Sequence, residues 1–372
     1  MAIYKGEATK DGRSWYFRVK VKGKGYNSKK YATKSEAKEE ERIFLMKRDK
    51  PTHKEFVLVA KDYFKYVGKY KKVSTAHTLV RNYKKHILPF FQKDTLDSIN
   101  TDRINEWKQF IKEKNYSSSY NNMLLTILSS ILDYGVEYYE LESNPVKKVK
   151  RFEIQRKPKE KIRYITYEEF NKFIDYVEDE TYKAFYYTAF FTGCRKGELQ
   201  ALKWSDIDFN DRIIHINKTL YSKGLYNGEN AIIQDTKNYI NRKIQISKIL
   251  YDVLKEYHDH IIKYKDYKKD WFVFGGTMYL PSTTIDRIKD KAFADSGVHR
   301  ITMHEFRHSH VSLLVNEYIK NSKEKNVKVD TTKFFIMMSQ RLGHSIEVME
   351  RTYLHLFPES QNEIVDLLDN LI

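Results

Sequence analysis

The sequence predicts a predominantly helical α+β protein with two small antiparallel sheets. Three observations support this class: a strand-like segment near the N-terminus, apolar residues at helical spacing over about 52–150, and two short isoleucine-containing runs near residues 213 and 244. A chain of 372 residues is long enough for two or three domains with their own cores. We therefore predict a sheet-plus-helix domain at 1–50, a helical bundle at 52–150, a linker at 151–162 and a mixed, mainly helical domain at 163–372.

The first fifty residues predict two strands and a helix. Residues 14–22 combine aromatic and β-branched side chains, residues 23–25 suit a turn, and residues 27–31 suit a second strand. Thr33 can begin a helix that reaches Lys47. The lysines of these strands either protect an exposed sheet edge or contact DNA in a groove, and we favour DNA. They are Lys20, Lys22, Lys24, Lys29 and Lys30.

Residues 52–150 predict four helices whose apolar stripes form a core. The first begins near Phe56, the second is capped by Ser74 or Thr75 and ends at Pro89, the third is capped by Thr101–Asp102, and the fourth follows residues 117–119. Asn144–Pro145 ends the bundle. On its surface, Lys84 and Lys85 are candidate DNA-contact residues.

The remaining residues predict a linker and a second set of elements. Residues 151–162 are basic, contain Pro158 and carry few apolar residues. Residues 166–169 match a capping box, and a helix over about 181–191 ends at Gly193. Residues 212–216 and 242–246 read as strands, with Lys237 near the turn between them.

The overall charge points to a polyanionic partner. The chain has 67 lysines and arginines against 50 acidic residues, a formal net charge of +17. A merely soluble basic protein would have the same charge, so this observation decides little alone. No apolar run is long enough to cross a bilayer, and the N-terminus does not resemble a signal peptide, so we expect a cytoplasmic protein with no membrane partner.

The single cysteine limits the chemistry further. Cys194 excludes an intrachain disulfide and a cysteine-rich zinc module. Its place beside Arg195 leaves open whether thiol oxidation affects a site there.

Six residues could together break and rejoin a phosphodiester. Arginines, a lysine and histidines can neutralise a phosphate that gains charge during attack, and a tyrosine hydroxyl can attack it and hold it as an ester. Taken singly, each would be read as an ordinary surface or core residue, so their order and their local motifs carry the argument. They are Arg195 in Thr-Gly-Cys-Arg-Lys-Gly-Glu-Leu, Lys237, His304 and Arg307 in His-Glu-Phe-Arg-His, His344 in Leu-Gly-His, and Tyr353 in Arg-Thr-Tyr.

These motifs resemble those of the tyrosine recombinases, and among them the integrases of phages and mobile elements. The resemblance implies that Tyr353 is the nucleophile and forms a 3′-phosphotyrosyl link. It implies that Arg195 and Arg307 bind the scissile phosphate, that His304 and His344 contact it, and that Lys237 protonates the leaving oxygen, with Lys243 as the alternative lysine. No metal and no cofactor are required, because side chains meet the phosphate charge and the ester conserves the bond energy.

The same resemblance implies partners. The helical bundle would be the core-binding domain and residues 1–50 an arm-type DNA-binding domain, so that the protein would bind core-type and arm-type sites on double-stranded DNA. Four protomers would exchange strands through a Holliday junction to integrate and excise a mobile element. An excisionase and a host DNA-bending protein are candidate accessory partners. The apolar stripe of the C-terminal helix 361–372 either closes its own domain or docks on a neighbouring protomer.

Three other functions fit parts of the sequence. The residues 304–308 also match His-Glu-x-x-His, the pattern of zinc metallopeptidases, although Arg307 would be electrostatically poor beside a dication. A type IB topoisomerase would use the same chemistry to relax DNA without exchanging partners. A DNA-binding regulator with a decayed active site would need no Tyr353.

Overall fold

The computed structural model describes residues 3–9, 11–21, 24–48, 54–154, 162–221, 231–235 and 241–357. It forms two compact units, Met1–Pro158 and Lys159–Ile372. Among the described residues, no helix is both long and apolar enough to cross a membrane. Helices dominate and the sheets are small and antiparallel, which confirms the predicted fold class.

The first unit begins with a three-stranded antiparallel sheet. Strand β2 (Trp15–Val21) lies between β1 (Ile3–Lys5) and β3 (Lys24–Asn27), and helix α1 (Lys34–Arg48) follows. The predicted turn at 23–25 is wrong in part, because β3 begins at Lys24, which pairs with Val21. The predicted strand at 27–31 is correspondingly displaced towards the N-terminus.

The bundle of the first unit has five α-helices joined by a π turn and followed by a short 3-10 turn. They are α2 (Phe56–Tyr70), α3 (Val73–Asn82), the π turn Tyr83–Ile87, α4 (Leu88–Phe91), α5 (Thr101–Lys112), α6 (Ser118–Tyr138) and the 3-10 turn Pro145–Lys148.

Two helix boundaries in this bundle differ from the prediction. The second predicted helix does not stop at Pro89: the chain widens into the π turn, and Pro89 occupies the first turn of α4, where a backbone N–H is not needed. Ser74 and Thr75 lie inside α3 instead of capping it. Asn100, not Thr101, caps α5, since its side chain accepts a hydrogen bond from the Arg103 N–H.

One hydrophobic core runs through the first unit. Phe44 of α1 packs against Tyr138 of α6 with ring centroids 6.2 Å apart. The buried carboxylate of Glu40, also on α1, accepts hydrogen bonds from Tyr138 (3.1 Å) and Tyr70 (2.6 Å). Residues 1–50 and the bundle therefore share a core, and their division into separate domains stays a prediction.

The second unit contains eight α-helices and two small sheets within its described part. Its helices are α7 (Tyr167–Asp175), α8 (Glu180–Thr192), α9 (Lys196–Ala201), α10 (Lys248–Ile261), α11 (Ser282–Ser296), α12 (Met303–Glu324), α13 (Thr331–Leu342) and α14 (Ile346–Tyr353). Its strands are β4 (Ile207–Asp208), β5 (Ile213–Ile216), β6 (Lys218–Tyr221), β7 (Ile232–Asp235) and β8 (Arg242–Gln245), with 3-10 turns at Trp204–Asp206 and Leu354–Leu356.

The two predicted strands of this unit pair directly. β5 lies between β4 and β8 and is antiparallel to both, with Ile214 opposite Ile244. A separate antiparallel pair, β6 and β7, lies between β5 and β8 in the sequence. The predicted capping box of α7 is present, since Thr166 and Glu169 bond to each other's backbone N–H groups.

Helices α8 and α12 organise the core of the second unit. Phe190 of α8 stacks on Phe170 of α7 with ring centroids 4.1 Å apart, and Phe306 of α12 joins the same cluster. A second cluster collects apolar side chains of α12, α13 and α14, including Tyr353. The predicted site residues His304, Arg307 and Tyr353 therefore lie on helices whose other faces are buried, which fixes their positions.

Candidate active site

A left-handed glycine positions Arg195. Helix α8 ends at Gly193, which has a φ of 64°. A Cβ there would lie 2.8 Å from Leu342 Cδ2 and 2.9 Å from His310 Cδ2, so the backbone conformation and the close packing both require glycine. The chain then reverses through Cys194, and Arg195 lies directly before α9.

Glu198 of α9 is a buried anchor for two arginines. Its carboxylate accepts a hydrogen bond from Arg195 Nη1 at 2.8 Å and a bidentate pair from Arg242 at 2.7 and 3.1 Å. Burial alone would raise the pKa of Glu198, but the hydrogen bonds and charge of Arg242, with the charge of Arg195, lower it to about 2. Glu198 is therefore ionised at neutral pH and holds both guanidinium groups in place.

Arg307 of α12 is buried in a different way. Its guanidinium donates to two backbone carbonyls, Gly193 O at 2.9 Å and Leu342 O at 2.7 Å. Within the described part of the chain no carboxylate forms an ion pair with it, and its Nε has no hydrogen-bond partner. Burial and the nearby charge of Arg195 lower the pKa of Arg307 to about 10, so it still carries its charge at neutral pH.

The arginine cluster has excess positive charge. Three guanidinium groups, those of Arg195, Arg242 and Arg307, face one carboxylate, that of Glu198, which leaves two positive charges. Arg195, Arg307 and His304 line one cavity of about 410 Å³. Lysines 196 and 289 and Arg300 also line it, and its acidic lining residue, Asp286, bonds to Lys196 at 3.0 Å. Such a cavity suits a phosphate.

Tyr353 is connected to this cluster through α12. It is the last residue of α14 and only 2% exposed. Its hydroxyl lies 2.7 Å from Nδ1 of His308, the residue after Arg307. Burial raises the pKa of Tyr353 to about 12, against an opposing effect of the Arg307 charge. The hydroxyl is therefore protonated and close enough to Arg307 to sense its charge.

His344 lies at a neighbouring cavity. Gly343 ends α13 with a φ of 65°, and His344 then lines a space of about 540 Å³ together with Arg242, Lys243 and Arg341. Arg307, which lines the 410 Å³ cavity, donates a hydrogen bond to Leu342 O, two residues before His344. This bond connects the lining of one cavity to that of the other. Lys237 lies outside the described residues, in the segment after β7 (Ile232–Asp235).

The structure thus brings four predicted residues close and places a fifth beside them. Arg195, His304 and Arg307 share a cavity, Tyr353 reaches the same helix through His308, and His344 follows the segment that Arg307 binds. Their catalytic roles stay predictions.

The zinc-peptidase pattern does not form a metal site. Glu305, the residue that would act as the base, instead closes the capping box of α12 by accepting from the Thr302 N–H at 2.5 Å. His308 is engaged with Tyr353. In the described segments, no three His, Cys, Asp or Glu side chains come together in a way that could hold a metal ion.

Three residues of this site are not predicted from the sequence. Glu198 stands in the Arg195 motif, but nothing in the sequence indicates that it is buried. Arg242 lies in a predicted strand, and its bond to Glu198 has no local signal in the sequence. His308 belongs to the predicted motif, and its place directly after Arg307 and one turn after His304 is the signal that points to a role.

The predicted DNA-contact lysines have mixed surroundings in the first unit. Lys29 contacts Tyr66, and Lys30 donates to Glu7 O at 2.6 Å. Lys84 and Lys85 are exposed side by side on the π turn. The backbones of Lys20 and Lys24 lie in β2 and β3, and Lys22 lies outside the described residues.

Cys194 is buried, and the C-terminal helix is not described. The Cys194 thiol is 2% exposed, and burial raises its pKa. It lies 3.7 Å from a guanidinium nitrogen of Arg242. A buried thiol with a raised pKa is a poor nucleophile, so the structure gives no support to oxidation sensitivity. The predicted helix 361–372 falls outside the described part of the chain.

Comparisons with known proteins agree on one family. The sequence profile of the phage integrase family matches residues 163–323. The ICEBs1 integrase of Bacillus subtilis (strain 168) is 32% identical over 305 residues, which cover 77% of this chain and 75% of that protein. A XerC-like tyrosine recombinase of Caldanaerobacter subterraneus subsp. tengcongensis is 25% identical over 78% of this chain and 75% of its own length.

Solved structures show the same fold. A Tn1549 transposon integrase in complex with circular intermediate DNA aligns with a TM-score of 0.61 at 17% identity, over 84% of this chain and 99% of that one. A lambda integrase tetramer bound to a Holliday junction aligns with a TM-score of 0.56 at 16% identity, over 92% of this chain and 95% of that one.

Proposed function

This chain belongs to the phage integrase family of tyrosine recombinases and is a DNA-breaking and rejoining enzyme of a mobile element, and we propose that Tyr353 is its nucleophile and that Arg195 and Arg307 bind the scissile phosphate. Similarity to these relatives does not by itself give the roles of these three residues. The proposal rests on the geometry of the cavity and on the order of the motifs along the chain.

The observation that carries the proposal is the state of Arg307. The Arg307 guanidinium is fully buried and pairs with no carboxylate among the described residues, which is costly because desolvation penalises the charge. Its two backbone carbonyl partners fix its orientation without neutralising it. An anionic ligand in the cavity would supply the missing charge, and a phosphodiester fits the planar donors of Arg307 and Arg195.

The first step would be attack by the Tyr353 oxygen on phosphorus. The new bond gives a 3′-phosphotyrosyl ester, and the bond to the 5′ oxygen breaks. Charge that develops on the non-bridging oxygens is met by Arg195 and Arg307, which Glu198 and the carbonyls of α8 and α13 hold in place. His304 and His344 would contact the same phosphate from the ends of α12 and α13.

The 5′ oxygen that leaves in this first step needs a proton. We assign Lys237 as the acid that supplies it, and Lys243 as the alternative because it lines the same cavity as His344. The second half of the reaction reverses the first. A 5′-hydroxyl of the partner strand then attacks the phosphotyrosine and releases Tyr353. The ester conserves the energy of the broken bond, so the steps need neither a nucleotide nor a metal.

The protein binds DNA, and we propose finer features of that complex. The strand lysines and the pair Lys84 and Lys85 would contact DNA phosphates, with residues 1–50 on arm-type sites and 52–150 on core-type sites. A tetramer on a Holliday junction, as in the lambda integrase structure, would exchange the strands. Helix 361–372 docking in trans, an excisionase, a host DNA-bending protein and a cytoplasmic location complete the proposal.

A nicked suicide DNA tests the chemistry. The duplex carries a candidate attachment sequence, and its nick lets the short fragment diffuse away, so the cleaved enzyme stays attached to DNA. We expect an SDS-resistant adduct in buffer containing a chelator, and no adduct from Tyr353→Phe despite unchanged DNA binding. An adduct from Tyr353→Phe would refute the assignment, and loss of the wild-type adduct with chelator alone would show that a metal takes part.

Strand exchange separates an integrase from a topoisomerase. With two labelled duplexes that carry the same site, we expect recombinant products joined from both. Relaxation of supercoiled DNA without any exchanged product would instead indicate the topoisomerase reaction.

A further inference from the structure

The proposed nucleophile, Tyr353, contacts a histidine of α12, His308. The Tyr353 hydroxyl lies 2.7 Å from Nδ1 of His308, with the two rings in an edge-to-face arrangement and their centroids 5.6 Å apart. Among the described residues, His308 is the one hydrogen-bond partner that the structure gives to this hydroxyl. Both side chains belong to packed helices, so the contact is fixed by the fold.

We propose that His308 is a further catalytic residue, which orients the Tyr353 hydroxyl through Nδ1 and accepts its proton as the bond to phosphorus forms. The inference rests on the proposed role of Tyr353. It assigns His308 the nucleophile side of the reaction, opposite the leaving-group acid.

The protonation states fit an acceptor role. Burial, helped by His304 and the charge of Arg307, lowers the pKa of His308 to about 4, so its imidazole is neutral at pH 7. The Tyr353 hydroxyl is protonated at that pH. A buried hydroxyl proton needs an acceptor, and Nδ1 of a neutral imidazole is one when the single ring N–H proton is on Nε2. The Tyr353 oxygen then keeps its lone pairs for attack.

The proton moves late in the step. The raised pKa of Tyr353 and the lowered pKa of His308 make a free phenolate–imidazolium pair strongly unfavourable before attack. As the oxygen bonds to phosphorus, its proton becomes strongly acidic and passes to Nδ1. When the strand is resealed, the imidazolium returns the proton to the departing tyrosyl oxygen. Atoms and charge balance over the cycle.

The neighbours of His308 support this assignment. His304 lies one turn earlier on α12 with ring centroids 5.0 Å apart, edge to face, so it supports the His308 ring from the cavity side. Glu305 is occupied by the capping box, and Arg307 by two carbonyls. Neither competes with His308 for the Tyr353 proton.

A sulfur-substituted DNA separates the two sides of the reaction. In a 5′-bridging phosphorothiolate the leaving group is a thiolate, which departs without protonation. A defect in the leaving-group acid is therefore relieved on this substrate, whereas a defect at the nucleophile persists. Single-turnover adduct formation is measured on the oxygen and sulfur substrates for the wild type, His308→Leu, His308→Asn and Lys237→Ala.

The inference predicts a distinct pattern. His308→Leu slows adduct formation on the order of 10²-fold on both substrates, with unchanged DNA affinity. The amide oxygen of His308→Asn can still orient the hydroxyl but cannot take up its proton, so this variant is faster than His308→Leu and still on the order of tenfold slower than the wild type. Lys237→Ala is slow on oxygen and fast on sulfur. A His308→Leu rate within threefold of wild type, or its recovery on sulfur, would overturn the inference.

A measurement on the unmutated protein covers the case in which His308→Leu does not fold. In ¹⁵N-histidine NMR spectra, assigned with His308→Asn, we expect an unprotonated Nδ1 on His308 that shifts towards the free-acceptor position in Tyr353→Phe. A protonated Nδ1 would overturn the acceptor role. Failure of the proposed function itself is recognised separately, because Tyr353→Phe would then still form the adduct.

Discussion

Two buried arginines of the second unit show opposite designs. Arg242 forms a bidentate pair with Glu198 at 2.7 and 3.1 Å and donates from Nε to Arg341 O at 2.8 Å. Arg307 is buried more deeply, at 1% exposure against 8%, yet it bonds only to two carbonyls, and no carboxylate in the described segments pairs with it. The charge of Arg242 is neutralised within the fold, and we propose that the charge of Arg307 is neutralised by a bound phosphate.

Under the proposed function, this difference separates a charge that stabilises the fold from a charge that binds the phosphate. A paired buried arginine contributes to stability only while its partner is present, and breaking the pair leaves an uncompensated charge. An unpaired one costs stability and gains its partner when a phosphate binds. Arg195 lies between these extremes, since it shares Glu198 but is still partly exposed to the cavity.

Replacing Arg307 gives the largest expected effect, and it falls on the chemistry. In Arg307→Met, adduct formation drops on the order of 10³-fold, because a donor to the charged phosphate is lost. The free energy of unfolding stays within about 1 kcal/mol of wild type, since removing an unmatched buried charge offsets two lost hydrogen bonds. Suicide-substrate kinetics and urea denaturation measure the two quantities. Strong destabilisation would remove the contrast with Arg242.

Replacing Arg242 has its largest effect on stability. Arg242→Met leaves the Glu198 carboxylate buried with only Arg195, and the free energy of unfolding falls by about 3–5 kcal/mol. The double replacement Arg242→Met with Glu198→Gln serves as the control and recovers part of the loss. A single variant as stable as wild type, measured by urea denaturation, would contradict the structural role of the pair.

The stability that the Arg242–Glu198 pair contributes depends on pH through Glu198. Its pKa falls from the ordinary 4.5 to about 2 on folding, so its contribution, about 3 kcal/mol, is complete above pH 4.5 and is lost as the pH falls towards 2. Stability is measured by denaturation between pH 6 and 2.5.

His308 also contributes to the change of stability with pH. Because folding lowers the pKa of His308 from 6.5 to about 4, protonation of the unfolded chain reduces the free energy of unfolding as the pH falls from 6.5 to 4. The difference between wild type and Glu198→Gln isolates the carboxylate. If this difference did not change with pH, the Arg242–Glu198 pair would not hold as described.

The smallest effect is expected at Cys194. Its thiol is buried beside Arg242 and has a raised pKa, so the reactive thiolate is scarce. Cys194→Ser should change the adduct rate by less than about threefold, and peroxide should inactivate both proteins equally. Selective protection of the serine variant would show that the thiol is accessible after all.

The features that are predicted correctly have signals within a few residues of sequence. The capping box at Thr166, the glycine that ends α8 and the alternation of β2 are short-range patterns, and the structure has them. The motifs around Arg195, Arg307 and Tyr353 gave the family, which the comparisons show, and the structure brings these residues together. Their roles stay predictions.

The missed features depend on contacts that are distant in sequence. Arg242 reaches Glu198 over 44 residues, and Tyr353 reaches His308 over 45. No periodicity reports such pairs. The prediction that the helix ends at Pro89 is wrong. A proline usually ends a helix, but here a π turn precedes Pro89, which lies in the first turn of α4.

The nucleophile is identified most directly by finding the amino acid that carries the DNA. The adduct is trapped on suicide DNA, digested with nuclease and trypsin, and analysed by mass spectrometry. No lysine or arginine follows Arg351 in the sequence, and Tyr353 is the only tyrosine after it, so the peptide that begins at Thr352 reports on one tyrosine alone. We expect the nucleotide remnant on Tyr353 in that peptide. A remnant on any other residue would contradict the assignment of Tyr353 as the nucleophile.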